Sequence, residues 1–188
     1  MQCTTCSDKE LLAILVGPKK ADALFTGSVI DLFASTGDSK ATHVRIAAAR
    51  ELVRRAFAEE MRGRDSLASP VAVRSYLRLT FLSYEHEAFV VVFLDAQNRV
   101  IASEEMFRGT LTQTSVYPRE VVKAALRHNA AGVILSHNHP SGVAEPSMQD
   151  QALTRALAES LALVDVKVLD HFIVAGNQSV SFAERGLL

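Results

Sequence analysis

The chain has 188 residues, 48% of them apolar, with 20 Lys and Arg against 21 Asp and Glu for a net charge of −1. That is enough apolar material for a packed core and enough length for one ordinary domain, or a small unit beside a medium one, which excludes global disorder. The balance leaves no electrostatic footprint for nucleic acid: residues 1–64 hold ten basic against eight acidic residues, and residues 65–188 ten against thirteen, giving +2 and −3.

Cys3 and Cys6 form one Cys-x-x-Cys, half of a zinc-ribbon set whose second half is missing, and are expected to be reduced thiols in a loose terminus. No basic-then-apolar leader precedes them, and the apolar runs at 11–17 and 89–94 are too short to cross a bilayer, so a cytoplasmic location is expected. Ser7-x-x-Glu10 is a capping box opening a helix whose Leu11, Leu12, Ile14 and Leu15 share a face, and Gly17-Pro18 stops it. Residues 28–34 suggest a second short helix. A third spans 41–62, with an apolar stripe at Val44, Ala48, Leu52 and Phe57 and a solvated face at Arg50, Glu51, Arg54, Arg55, Glu59 and Glu60. Residues 61–66 read as a linker. The first 64 residues are therefore a small helical unit, too small to be very stable without docking.

Ser69-Pro70 supplies a cap and a first-turn proline for a helix over 71–78. Two strands, 87–94 and 99–106, flank the turn 95–98. Pro118 opens a helix over 118–129 with Val121, Val122, Ala125 and Leu126 inward. A short apolar strand over 132–136 follows, then a helix over 147–163 whose inward side carries Leu153, Ala156, Leu157, Ser160, Leu161 and Val164. Strands at 166–174 and 178–182 make a terminal hairpin around Gly176-Asn177. Strands and helices mix without a repeating βαβ unit. The expected class is thus α+β, a mixed sheet flanked by helices in a sandwich-like arrangement.

The strand at 132–136 runs directly into His137-Asn138-His139, then the turn Pro140-Ser141-Gly142, then Ser147-x-x-Asp150 at a helix start. Alone, a His-x-His reads as two surface or capping histidines, and Ser-x-x-Asp as a capping box. Together they suggest a metal site. In extended chain His137 and His139 point the same way, and Asp150 in the first helical turn can close on them. Two imidazoles and a carboxylate suit zinc, and three protein ligands plus one water is the arrangement of a catalytic site. A His-Glu-x-x-His helix is absent, only 49 residues follow His139, too few to complete a barrel hydrolase, and a helix rather than a further strand follows the pair, against a cupin.

The spacing His-x-His-x(7)-Ser-x(2)-Asp at His137, His139, Ser147 and Asp150 is similar to the JAMM motif of the JAB/MPN metalloprotein superfamily. The segments FRGTL at 107–111, VYPREVVKAAL at 116–126, ILSHNHPSG at 134–142, LDHFIV at 169–174 and VSFAERGLL at 180–188 resemble its RadC branch, and the likeness covers roughly residues 66–188. The resemblance implies a cytidine-deaminase-like JAB/MPN fold over 66–188 behind a helical unit at 1–64. It implies one zinc per chain on His137, His139 and Asp150, a general-base glutamate on an earlier strand, and Ser147 steadying a tetrahedral intermediate. Glu87, ahead of the apolar run at 89–94, is the expected base. Glu85 competes from the same face if the strand extends that far back. The best-known members of the superfamily cleave isopeptide bonds to ubiquitin-like proteins, whereas RadC relatives carry a DNA-repair label.

Relatives often place a helix-hairpin-helix with two glycines near the N-terminus. The matching stretch here, residues 36–42, has one glycine and adds Asp38, which would repel phosphate, so a docking or regulatory role is expected for this unit. His171, after Asp170 on an apolar strand, is expected to be a core residue or a support behind the ligands. His43, His86 and His128 are expected to be exposed, and Glu104-Glu105 to face solvent along a strand. The leading expectation is a zinc-dependent hydrolase of peptide or isopeptide bonds, with a protein or peptide substrate and no membrane partner. A DNA-repair or recombination factor binding nucleic acid and a metal-bearing scaffold without turnover are the alternatives.

Overall fold

The structure is a computed structural model that describes residues 6–25, 27–34, 41–63, 70–82, 84–109 and 116–188. Contacts divide the chain into two compact units, Met1–Arg55 and Ala56–Leu188. In the first, α1 (Asp8–Val16) starts at the Ser7–Glu10 capping box and ends at Gly17, whose φ of 91° suits glycine. Pro18 does more than stop α1. It occupies the first turn of α2 (Pro18–Leu24), an element the sequence reading passed over because the missing N–H that breaks a helix interior is harmless at its start. The third helix, α3 (Val29–Ala34), lies where expected, and α4 (Ala41–Gly63) follows. Leu12, Val16, Ala21, Leu32 and Ile46 form this unit's core.

The stripe expected on α4 is displaced. Val44 and Leu52 are exposed, at 59% and 68%, whereas Thr42, Ile46 and Met61 are buried. Thr42 and Ile46 are offset by two residues from the expected line, about 200° around a helix of 3.6 residues per turn. Phe57 of that line does pack inward, as does Met61 one turn on. The division between units falls inside this helix. Phe57, Ala58 and Met61, in its last turns, pack in the core of the second unit, so the segment at 61–63 that suggested a linker is helical.

The second unit begins with α5 (Pro70–Phe81), three residues longer than its expected end. Then come β1 (Ala88–Leu94), β2 (Val100–Arg108), α6 (Pro118–Arg127), β3 (Gly132–Asn138), α7 (Met148–Ala162), β4 (Lys167–Ala175) and β5 (Gln178–Ser181). The sheet order is β2-β1-β3-β4-β5, parallel between β3 and β4 and antiparallel elsewhere, so the expected α+β class with a mixed sheet holds. Every residue of β1 is buried, which is why AFVVVFL reads as an unbroken apolar run rather than an alternation. One sheet face sets Val90, Val92, Leu94, Ile134 and Phe172 against Val73, Leu77 and Phe81 of α5. The other sets Phe89, Phe93 and Leu135 against Val121 of α6 and Leu157 and Leu161 of α7. Leu126, expected inward, is 57% exposed and Ala124 is buried instead, which lets α6 approach the sheet on small side chains. Parallel neighbours need a crossover. Here the loop 139–147 and α7 provide it, leaving the carboxyl end of β3 open beside the start of α7.

Candidate metal centre

β3 is two residues longer than its apolar run, because His137 and Asn138 keep pairing with β4 opposite Ile173 and Val174. His139 continues the ladder by donating its backbone N–H to Val174 O at 2.8 Å. His137 is buried with its ring stacked on Phe89 at 6.2 Å, on the α7 side of the sheet. Gly142, at φ 81°, turns the loop back. Ser147 then caps α7: its Oγ accepts the Asp150 N–H at 3.1 Å, and its own N–H and hydroxyl donate to Asp150 Oδ2 at 2.7 and 2.6 Å. The Asp150 carboxylate closes the capping box with Ser147 and also lies 3.2 Å from His137 Nε2, so a helix cap and a ligand role are compatible.

His137, His139 and Asp150 converge, each offering one ligand atom within 4.8 Å of the others. The two Nε2 atoms are 2.9 Å apart, His137 Nε2 is 3.2 Å from Asp150 Oδ1, and His139 Nε2 is 3.6 Å from Asp150 Oδ2. Donors about 2.0–2.1 Å from one tetrahedral zinc stand about 3.3 Å from each other. The imidazole pair and the His137–Oδ1 distance are near that, and His139 approaches the other carboxylate oxygen. The chemistry of the set fits too. His139 Nδ1 lies 2.8 Å from Val143 O, which can only accept, so that nitrogen carries the proton and Nε2 faces the cluster as a lone pair. Burial opposes ionisation of Asp150, yet His137 beside it first, and then the Ser147 hydroxyl and N–H, hold its carboxyl well below the ordinary range. Lone pairs and an anionic oxygen aimed at one point repel each other unless a cation lies between them.

Glu87 is not among the converging donors. It sits just before β1, with Gly109 N–H donating to its carbonyl at 2.7 Å. The pairing of β1 with β3 ends at Phe89 opposite His137, two residues after Glu87. Glu85 lies in a bend and is exposed, so alternation does not reach it. Asn138, between the two histidines, points to the opposite face. Its Oδ1 accepts the Ala88 N–H at 2.8 Å and its Nδ2 donates to His86 O at 2.9 Å, fastening the chain on both sides of Glu87.

Two further residues stand behind the cluster. His171 is fully buried, with Nε2 2.8 Å from His137 Nδ1 and Nδ1 2.7 Å from Thr154 Oγ1. Burial first, and His137 beside it, push its ring well below the usual histidine range. The expected support role thus has a geometry, while Thr154 was missed. Its signal was present: Thr154, Leu157 and Leu161 share one face of α7, putting a hydroxyl on an apolar stripe.

The other singled-out residues serve the fold. His128, expected exposed, bonds Glu104 at 2.6 Å and packs on Phe93 at 4.7 Å; His86 is half-buried and stacks on Tyr84. Glu104 and Glu105 are engaged too, with Arg127 and His128 and with Tyr84 and Arg108 respectively. Cys6 is a part-exposed free thiol, while Cys3 and residues 35–40 of the hairpin stretch lie outside the described residues. Among the described residues, no helix is long and apolar enough to cross a membrane.

The sequence model of the RadC-like JAB domain matches residues 67–187. A UPF0758 protein of Thiobacillus denitrificans is 62% identical over 152 residues, covering 81% of this chain and 68% of that one. One from Dechloromonas aromatica is 60% identical over 166 residues, 88% of this chain and 74% of the relative. Another, from Nitrosomonas eutropha, is 52% identical over 203 aligned positions, 98% and 91% of the two chains. None of these names states an activity.

Proposed function

The chain belongs to the RadC-like JAB domain family, and from that premise we propose a zinc-dependent hydrolase of peptide or isopeptide bonds, acting on a protein or peptide substrate. The observation that carries this reading is the convergence of His137 Nε2, His139 Nε2 and an Asp150 oxygen beside the open carboxyl end of β3. Zinc held by these three residues would supply a Lewis acid that polarises the scissile carbonyl and lowers the pKa of water toward neutrality.

Glu87 is the general base. It takes a proton from the attacking water and returns it to the departing amine, so one amide bond and one water become a carboxylate and an amine. Its support is its place two residues before Phe89, the strand residue paired with His137, and the two Asn138 bonds that hold its flanks. Ser147 steadies the developing oxyanion. Its single proton goes to Asp150 Oδ2 in the resting arrangement, so it serves this role by rotating toward the substrate. The helical unit Met1–Arg55 takes a docking or regulatory part, and the zinc residues belong to the unit Ala56–Leu188.

The test is metal analysis of the purified chain beside a panel of peptide, isopeptide and DNA substrates, with and without a chelator. Amide cleavage lost on chelation and restored by zinc is the expected result. Tight, sequence-selective duplex binding at physiological salt, with no amide cleavage, would move the repair reading ahead of this one.

A further inference from the structure

The hydrogen bonds behind His137 form a chain whose direction is fixed at its far end. Thr154 Oγ1 is 2.6 Å from the carbonyl of Asp150 and 2.7 Å from His171 Nδ1. A carbonyl can only accept, so the one hydroxyl proton goes to Asp150 O, and Oγ1 is left to accept from His171. The proton of His171 therefore sits on Nδ1. Its Nε2 then carries a lone pair 2.8 Å from His137 Nδ1, which must be the donor. With its proton on Nδ1, His137 turns Nε2 toward His139 and Asp150 as a bare lone pair.

We propose that Thr154 and His171 are positioning residues that hold His137 in the tautomer able to bind a metal through Nε2. This rests on the reading of His137, His139 and Asp150 as zinc ligands. The chain begins on the main chain of one ligand, Asp150, and ends on the ring of another, His137, so it also ties α7 to β3 through β4. Its acceptor is a neutral imidazole. A carboxylate in that place would orient the ring and also raise its basicity. His171 orients without adding charge, leaving Asp150 as the one anionic ligand. The third histidine of the cluster thus has a role that its burial alone does not explain.

Thr154→Val, Thr154→Ser and the wild type, all as full chains, separate the possibilities. Zinc affinity is measured by competition with a chromophoric chelator, and ring protonation by nitrogen-15 NMR of the zinc-free protein. Thr154→Val should bind zinc about 10- to 100-fold more weakly, and Thr154→Ser should remain close to wild type. In the wild-type spectrum, His137 and His171 should both carry their protons on Nδ1. Zinc binding by the wild type with equal affinity in Thr154→Val overturns this inference and leaves the zinc reading intact. A wild type that takes up no zinc overturns both. Should Thr154→Val fail to fold, the wild-type spectrum still decides, because a His137 protonated on Nε2 contradicts the proposal.

Discussion

The two compact units handle polar groups in opposite ways. In Met1–Arg55 the core is Leu12, Val16, Ala21, Leu32 and Ile46, and among the described residues Thr42 is its one buried polar side chain, bonded by Lys20 at 2.9 Å. In Ala56–Leu188, Ser136, His137, Asn138, Thr154, Asp170, His171 and Ser181 are all buried. A buried polar group left unpaired costs about 1–3 kcal/mol, so such a set persists only where its members satisfy one another. Most of them do. Asp170 alone accepts from the backbone of His171 and Ala183 and from the Ser181 hydroxyl, fastening the hairpin that carries His171. The buried polar network lies in the unit that carries His137, His139 and Asp150, the residues proposed to hold zinc.

The largest effect expected in the second unit is chemical rather than structural. Glu87→Gln should stay folded and zinc-loaded while turnover of the cleaved substrate falls by roughly 10²–10⁴, and Glu85→Gln should stay near wild type. The reverse pattern would make Glu85 the base.

Next in size is a pair of truncations that tests where the units part. A fragment of residues 56–188 should fold and keep its zinc. One starting at residue 65 loses buried Met61 and the partly buried Phe57 and Ala58 from the core under α5 and should be less stable by several kcal/mol, given about 2–5 kcal/mol for a buried Met reduced to Ala. Equal denaturation midpoints and slopes for the two fragments would show that the end of α4 contributes nothing to the sheet unit.

Asn138→Ala should cost about 1–3 kcal/mol in chemical denaturation, because Ala88 N–H and His86 O lose their partner together. An unchanged midpoint would mean that other donors and acceptors replace the amide.

The smallest effect is at Tyr84. Burial, and then its hydrogen bond to Glu105, push its phenol up to about 12. The folded value lies above the ordinary tyrosine value of about 10, so this contribution to stability is complete below pH 10 and is lost as pH rises through 12. Ultraviolet titration should show one phenol ionising near 12, a step that Tyr84→Phe removes. A Tyr84→Phe titration identical at high pH would contradict the assignment.

Local patterns were enough where a feature is built from neighbours in sequence. The unbroken apolar run of β1, the capping boxes at Ser7 and Ser147, and the convergence of His137, His139 and Asp150 all follow from spacing within one strand, loop or helix start. The failures share a cause of another kind. On α4 the apolar residues Val44, Ala48 and Leu52 form a regular stripe, yet tertiary packing selects the line through Thr42 and Ile46 instead. Pro18 ends α1 as the sequence implies, but that it also opens α2 depends on the chain that follows it. The chain from Thr154 through His171 to His137 joins residues 154, 171 and 137, which meet only because β4 returns parallel to β3. Nothing in the local pattern around any of them announces that meeting.

The central claim is that His137, His139 and Asp150 together hold one metal ion, and elemental analysis of the purified full-length chain tests it most directly. About one zinc per chain is expected in the wild type, with most of it lost in both His139→Ala and Asp150→Ala while each remains folded. Full zinc content in both folded variants, or none in the wild type after zinc is supplied, would contradict it.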